Sequence, residues 1–211
     1  MREPVKQPTR QPTRQPTVTP DYVFCFLGNP GSEYQETRHN IGFMVADAFA
    51  KRRSTEWIHR DPLFDEAVVT YARKTCMLIK PLTYMNLSGN AVRKVIAAHQ
   101  LQAKHVVVVV DEYNFPVGRV HLRSGGSSGG HNGVASVEAE LKSAAFWRLR
   151  CGIDRNFGPG GLVPYVLSPF DPEEATGVQA MVERACDALD LILKHGPPQA
   201  MNGINRLEPA E

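Results

Sequence analysis

The apolar positions of the chain fall into short runs that predict the strands of a sheet. Residues 22–27 form an apolar and aromatic run that ends at Gly28-Asn29-Pro30-Gly31, a sequence typical of a turn. Residues 106–110 are five consecutive valines, a pattern typical of a strand covered on both faces, and we expect this strand at the centre of the sheet. Further strands are predicted at residues 68–71, 76–79, 119–123 and 147–153.

Between these strands, apolar residues recur at the three- and four-residue spacing of helices. Residues 45–50 predict a first helix that ends in a basic segment, and residues 91–96 predict a second, capped by Ser88 or Asn90. An Asp-Pro-Glu-Glu sequence at residues 171–174 combines an N-cap, a proline and a capping-box glutamate, so a third helix begins there and ends at Gly196-Pro197. Helices on both sides of the strands predict a three-layer α/β/α single domain around a mixed, largely parallel twisted sheet.

The two ends of the chain lack these patterns. Residues 6–17 repeat a proline-containing tetrapeptide with no residue able to nucleate a core, so residues 1–20 are expected to be a disordered tail. An RNA-tethering arm and an organelle-targeting peptide are the alternatives for this tail. Residues 197–211 are expected to be a loose C-terminal tail, which places the catalytic domain at residues 21–196.

Composition excludes several classes of protein. The chain has no apolar run near the roughly 20 residues of a membrane span, and its first residues do not resemble a secretory signal. We therefore expect a cytoplasmic protein, or an organellar one if the N-terminal tail is a targeting segment. The four cysteines form no C-x-x-C pair, which predicts reduced, mostly buried thiols rather than a zinc or redox site.

Charge limits how the chain could bind RNA. The formal net charge is +2, and the first twenty residues carry +3 of it, which leaves the remainder near −1. A domain with this charge is not a generally basic RNA binder, so any RNA contact must come from a local patch of lysine and arginine.

Polar residues that follow predicted strands are the first candidates for chemistry. Asn29 and Asp111 each come just after a strand, and Asn86 joins them if its strand runs parallel to its neighbours, because ligands bind at that edge of an α/β sheet. His39 lies in a loop or at the start of the first helix. Imidazole titrates near neutrality, and a carboxylate such as Asp111 could fix its tautomer and raise its basicity toward water.

A glycine-rich segment spans residues 123–133 in the middle of the predicted domain. Its glycines could let the backbone approach a ligand or let a lid move, and Asn132 offers an amide at its end. The nucleotide-binding, dinucleotide-binding and serine-hydrolase motifs all fail at specific positions of this chain.

Taken together, the motifs resemble the bacterial-type peptidyl-tRNA hydrolase family. The segments that carry the resemblance are LGNPG at 27–31 with Tyr34, TRHNIGF at 37–43, TYMNLSG at 83–89 and GGHNG at 129–133. Asp111 after the valine strand, RLR at 148–150 and YVL at 165–167 add matches in the same order. The resemblance spans residues 22–194.

This resemblance implies an enzyme that hydrolyses the ester between peptide and tRNA and recycles tRNA from stalled or aborted translation. It implies His39 as the general base, Asp111 as the carboxylate that stabilises it, and no metal or other cofactor. The partner it implies is peptidyl-tRNA, and we expect a monomer without a membrane association. The implied substrate and tRNA contacts are Asn29, Tyr34, Tyr84, Met85, Asn86, His131 and Asn132, and the implied phosphate contacts are Arg123 and Arg150.

The chain departs from the family pattern at a few positions. Ser127-Ser128 replaces a histidine that is usual in the glycine-rich segment, and Asp154 stands where glycine is common. These departures bear on the movement of the glycine-rich segment and on the reaction rate more than on the type of reaction. The oxyanion donor is either the Asn86 amide or a backbone N–H of the glycine-rich segment. The alternative function is a catalytically silent RNA-binding homologue that acts with a protein partner, as in organelle intron splicing.

Overall fold

A computed structural model of the chain describes residues 19–206. Seven strands form one sheet in the order β2-β3-β4-β1-β5-β7-β6. The strands are β1 (Tyr22–Phe26), β2 (Ile58–Asp61), β3 (Phe64–Tyr71), β4 (Lys74–Pro81), β5 (Val106–Glu112), β6 (Val120–Ser124) and β7 (Trp147–Gly152). Strands β4, β1, β5 and β7 are parallel, whereas the pairings of β2, β3 and β6 are antiparallel. The predicted disordered tail falls outside the described residues except for its last two.

Helices cover both faces of the sheet. They are α1 (Ile41–Arg52), α2 (Gly89–His99), α3 (Asn132–Leu141), α4 (Leu162–Val166), α5 (Ala175–His195) and α6 (Pro197–Arg206). Helices α1, α5 and α6 contribute to one hydrophobic core, while α2 and α3 contribute to the other. The predicted three-layer α/β architecture is confirmed. Among residues 19–206, no helix is long and apolar enough to cross a membrane.

The valine strand β5 shows why both faces had to be apolar. Val107 and Val109 pack into the core of α1 and α5, and Val106, Val108 and Val110 pack into the core of α2 and α3. Alternate side chains of a strand point to opposite faces, so a strand between two helical layers needs apolar residues at every position. The strand lies between β1 and β7, and β1 rather than β5 occupies the middle of the sheet.

A close contact fixes the start of α1 against the sheet. A Cβ atom on Gly42 would lie 2.2 Å from the carbonyl oxygen of Leu27, so only glycine lets the helix approach the end of β1. The three residues before α1, Arg38–Asn40, form a 3-10 turn at this point. His39 is thereby held at the edge of the sheet where β1 and β5 end.

The prediction of a loose tail from residue 197 is wrong for residues 197–206. Helix α6 begins at Pro197 and buries Ala200 and Ile204. Asn205 also makes two hydrogen bonds with the backbone of Leu122 in the edge strand β6, at 2.8 and 2.9 Å. The helix is stable here because it covers a sheet edge that would otherwise leave peptide groups unpaired.

Strand β2, helix α3 and the short helix α4 were also not predicted from the sequence. Strand β2 lacks an alternating apolar pattern and forms through its pairing with β3. Helix α3 follows the glycine-rich segment directly, and His131 is its N-cap. Its position brings His131 to the same sheet edge as His39.

Candidate active site

A buried carboxylate lies at the centre of the site. Asp111 ends the apolar part of β5, and its side chain is 3% exposed. Its Oδ1 atom is 2.9 Å from Nδ1 of His39 and 2.8 Å from Nε2 of His131. The two imidazole rings lie with their centroids 4.9 Å apart. One carboxylate oxygen therefore binds two histidines, which come from the start of α1 on one face and the start of α3 on the other.

The charges of these groups are strongly coupled. Burial alone would raise the pKa of Asp111, but His131 and His39 together hold it well below its usual range. Burial opposes protonation of His39, yet the charge of Asp111 and its hydrogen bond outweigh this effect and raise the pKa of His39 above its ordinary value. Asp111 is therefore ionised, and His39 is a stronger base than a free imidazole.

The tautomers follow from the hydrogen-bond network. Nδ1 of His131 accepts hydrogen bonds from the backbone N–H groups of Gly133 and Val134, at 3.1 and 3.3 Å. Because those groups can only donate, Nδ1 carries the lone pair and Nε2 carries the hydrogen that Asp111 accepts. His39 donates from Nδ1 to the same oxygen, which leaves the lone pair of its Nε2 atom for chemistry.

The hydrogen bonds of His131 disfavour a metal ion in this arrangement. His39, Asp111 and His131 offer ligand atoms within 4.8 Å of one another, and proximity alone would qualify them as a ligand set. A metal needs an imidazole lone pair directed toward it. The Nε2 atom of His131 bears hydrogen instead, and moving that hydrogen to Nδ1 would set it against two backbone N–H groups.

The histidine pair opens onto a small cavity of about 80 Å³. Its lining includes His39, Asp111, His131, Asn132 and the apolar side chain of Val163. A larger groove of about 850 Å³ lies between α1 and α5, but neither His39 nor Asp111 lines it. We place the chemistry in the small cavity because the ionised carboxylate and the strengthened base are there.

Asn29 lies in the turn after β1 and is held there by Asn40, the residue that follows His39. Asn40 accepts a hydrogen bond from the Asn29 backbone N–H at 2.8 Å and donates to the Asn29 carbonyl at 2.9 Å. The side-chain carbonyl of Asn29 accepts the Met85 N–H at 2.8 Å. The turn after β1, the start of α1 and the loop after β4 are thus tied together. No role was predicted for Asn40, although it directly follows His39.

The remaining predicted substrate contacts lie farther out. Tyr84 and Asn86 are exposed on the loop after β4, and Tyr34 is partly buried in a 3-10 turn. This loop does reach the sheet edge, because β4 runs parallel to β1 as the prediction for Asn86 required. Among the described residues, none of these three side chains contributes to the lining of the His39 cavity.

A basic pocket of about 130 Å³ adjoins the site on the β6 and β7 side. Arg123, Arg148 and Arg150 line it together with Asp111 and His131. The predicted phosphate contacts Arg123 and Arg150 therefore line one pocket. The buried Arg148 is paired with Arg123 across β6 and β7, and it precedes Arg150 by two residues on β7.

The three arginines of this pocket differ in their partners. Arg150 donates to Glu112 at 2.9 Å, so part of its charge is already balanced. Arg148 binds the backbone carbonyls of Gly126 and Ser127, and burial together with Arg123 lowers its pKa. Arg148 thus fastens the glycine-rich segment, a role that was not predicted.

Arg38 is a second buried cation that the sequence reasoning passed over. Its guanidinium group binds Glu174 through two hydrogen bonds of 2.9 and 2.6 Å, and its side chain is 3% exposed. It lies between the rings of Tyr165 and Phe170, at 4.6 and 4.8 Å. Arg38 therefore joins the turn that carries His39 to α4 and to the start of α5. The acidic residues of the capping box at 171–174 were the sequence feature that could have indicated a cationic partner such as Arg38.

Comparison with known proteins gives the family. The family profile described as peptidyl-tRNA hydrolase matches residues 23–211. The chain belongs to the peptidyl-tRNA hydrolase family. A relative of that name from Geobacillus kaustophilus is 43% identical over 185 residues, which is 87% of this chain and 98% of the relative. Another from Cytophaga hutchinsonii is 41% identical over 185 residues, 87% of this chain and 97% of the relative.

A solved structure agrees with these relatives. The crystal structure of peptidyl-tRNA hydrolase from Acinetobacter baumannii matches with a TM-score of 0.84 and 29% sequence identity, covering 92% of this chain and all of that one. The fold and the order of the motifs are therefore those of the peptidyl-tRNA hydrolase family, and the predicted resemblance is confirmed.

The two departures from the family pattern have structural explanations. Asp154 has a φ of 65°, in the left-handed region that favours glycine, and its carboxylate accepts the next backbone N–H at 2.6 Å. Ser127 and Ser128 contribute backbone carbonyls, which accept from Arg148 and from the His131 N–H. The contacts that connect this segment to the site do not depend on the serine side chains.

The Arg38–Glu174 pair predicts a pH-dependent loss of stability. The hydrogen bond from Arg38 lowers the pKa of Glu174 below 4.5, so the stabilisation is present above that pH and is lost as pH falls through the lowered value. We expect Glu174→Gln to reduce the free energy of unfolding by roughly 2–3 kcal/mol at pH 7, because it removes the nearer counter-charge of the buried Arg38 and leaves the exposed Asp171 carboxylate at 3.3 Å.

Urea denaturation at pH 7 and pH 4 measures this effect. The difference between wild type and Glu174→Gln should shrink at the lower pH, and Glu173→Gln, at an exposed neighbouring position, is the control with little effect at either pH. An equal difference at both pH values would show that the lost interaction is not ionic.

Proposed function

We propose that this chain hydrolyses the ester bond that joins a peptide to the 3′ ribose of tRNA, and so recycles tRNA from stalled or aborted translation. The observation that carries the proposal is the buried His39–Asp111 pair at a cavity, in a chain of the peptidyl-tRNA hydrolase family. A role limited to RNA binding is not favoured, because such a role needs no strengthened base beside a buried carboxylate.

His39 acts as the general base in this proposal. Its Nδ1–H group donates to Asp111, so the lone pair of Nε2 accepts a proton from a water molecule as the water oxygen attacks the ester carbonyl. The carbonyl electrons move to oxygen and form a tetrahedral intermediate. When the intermediate collapses, the bond to the ribose oxygen breaks and His39 returns its proton to that oxygen. Asp111 stays ionised and balances the imidazolium between the two steps.

The oxyanion of the intermediate needs hydrogen-bond donors close to His39. Gly130 and Asn132 line the same cavity as His39, whereas Asn86 is exposed on another loop. This supports a donor from the glycine-rich segment over the Asn86 amide.

Asn29 is the group that we assign to selection of a blocked amine. Its carbonyl oxygen is bound to Met85, so its NH₂ group is the end available to a substrate. An NH₂ group donates to the carbonyl that blocks a peptidyl amine, and the positively charged amine of an aminoacyl ester offers no such acceptor. The exposed Tyr84 and Asn86 and the partly buried Tyr34 are assigned to the outer part of the peptide and the tRNA end.

Arg123 and Arg150 are assigned to a tRNA phosphate. Both line the basic pocket next to the cavity, where Glu112 already binds Arg150. Within residues 19–206 no carboxylate forms an ion pair with Arg123 or Arg148, so a phosphate there would give both a direct anionic partner. We further propose that the protein acts in the cytoplasm as a monomer and without a metal, the last because the imidazole tautomers do not suit a ligand set.

Replacement of His39 tests the proposed base. His39→Ala should slow single-turnover hydrolysis of N-acetyl-aminoacyl-tRNA by on the order of 10²–10⁴-fold, because water loses its proton acceptor. His59→Ala is a matched control, since His59 also binds an aspartate at 2.9 Å but lies exposed on β2. The unblocked aminoacyl-tRNA should be spared by the wild type. If the wild-type protein binds tRNA but does not hydrolyse N-acetyl-aminoacyl-tRNA, the proposed hydrolase activity is refuted and the RNA-binding role is favoured.

Replacement of Arg123 tests the proposed phosphate contact. Arg123→Ala should weaken tRNA binding and reduce the slope of log affinity against log salt concentration by about one, since one phosphate contact is lost. Arg60→Ala is the control, because Arg60 lies on β2 at the opposite edge of the sheet. Filter binding over a salt series measures both variants. If Arg123→Ala shows the same salt slope as the Arg60→Ala control, Arg123 does not contact a tRNA phosphate.

A further inference from the structure

His131 connects the catalytic carboxylate to the N-terminus of a helix. Its Nε2–H donates to Asp111 at 2.8 Å, while its Nδ1 caps α3 by accepting from Gly133 and Val134. Both nitrogens of the ring are used, since Nε2 donates to a carboxylate and Nδ1 accepts from two backbone N–H groups.

The shared oxygen makes the two histidines compete. Oδ1 of Asp111 accepts hydrogen bonds from His131 and from His39 at almost equal distances. A hydrogen bond that stabilises the carboxylate charge reduces the pull of that charge on any other donor. The bond from His131 therefore limits how strongly Asp111 favours the protonated form of His39.

From this geometry we infer that His131 is a positioning residue that sets the working pH of the base, because its fixed Nε2–H group restrains Asp111. The inference rests on the proposed hydrolase function and deepens it. It replaces the role predicted from the sequence, in which His131 contacts the substrate. The bond to Asp111 and the helix cap already occupy both of its ring nitrogens.

Other charged and titratable groups around Asp111 stay the same when His131 is changed. Tyr113 lines the His39 cavity, and Arg148 and Arg150 line the basic pocket on the other side of the carboxylate. Burial, and to a smaller extent the nearby charge of Asp111, raises the pKa of the Cys151 thiol of β7, so this thiol stays protonated. A change in the titration of His39 after substitution at residue 131 therefore reports on His131.

Two amide variants separate the two functions of the ring. The amide oxygen of His131→Asn occupies the position of Nδ1, so this variant keeps the helix cap and loses the donor to Asp111. The amide nitrogen of His131→Gln occupies the position of Nε2, so this variant keeps a neutral donor to Asp111. If His131 only capped the helix, His131→Asn would behave like the wild type and His131→Gln would be the impaired variant.

The titration of His39 is the deciding measurement. We expect His131→Asn to shift the acid limb of the pH profile of kcat/KM upward by about 0.5–1 pH unit, with the affinity for tRNA unchanged within about twofold. His131→Gln should keep the acid limb near the wild-type position. In NMR titrations without substrate, the pKa of the ¹⁵N-labelled His39 ring should likewise rise in His131→Asn and stay near the wild-type value in His131→Gln.

The outcomes distinguish this inference from the proposed function. An unchanged His39 titration in His131→Asn, or equal shifts in both variants, would overturn the role of His131. A loss of tRNA affinity in both variants without any shift would return His131 to substrate binding. Wild-type protein without hydrolase activity would refute the proposed function, while the NMR titration would still test the coupling.

Discussion

The shared carboxylate oxygen of Asp111 is the constraint on which the rest of the site depends. A buried charge is costly unless it is paired, and two imidazole N–H groups supply that pairing here. His39 comes from the layer of α1 and His131 from the layer of α3. The two helical layers of the domain therefore meet at one oxygen atom at the end of β5, and the site exists only when both are packed on the sheet.

Two buried arginines support this centre from either side. Arg38 ties the turn that carries His39 to the segment before α5, through Glu174 and two aromatic rings. Arg148 ties the glycine-rich segment to β7 through backbone carbonyls. Each cation restrains a loop that adjoins the site. Such a frame keeps a catalytic base within the narrow geometry that proton transfer requires.

The sequence predicted the elements whose burial is visible in their composition. The valine run of β5 and the capping sequence before α5 each contain a local signal that the structure satisfies. Helix α6 was missed because Gly196-Pro197 is typical of a helix end, although Ala200 and Ile204 have helical spacing. Helix α3 was missed because the glycines before it resemble a linker. Strand β2 forms only through its partner and carries no signal of its own.

The sequence could predict which residues the structure brings together around Asp111, but not their protonation. Family motifs led to His39, Asp111 and His131, while the shared oxygen and the tautomer of His131 depend on angles that no sequence pattern encodes. Arg38 and Asn40 flank His39 in the sequence, but no role was predicted for either. Their partners are distant in the sequence: Glu174 is 136 residues from Arg38, and Asn29 is 11 residues from Asn40.

The most direct test of this account is Asp111→Asn, measured by single-turnover hydrolysis of N-acetyl-aminoacyl-tRNA together with tRNA affinity. The account predicts a rate lower by on the order of 10²-fold or more, with the affinity unchanged, because a neutral amide cannot balance the imidazolium. Asp65→Asn, in the exposed pair with His59, serves as the control. A rate within about threefold of wild type would contradict the central role of the Asp111 charge.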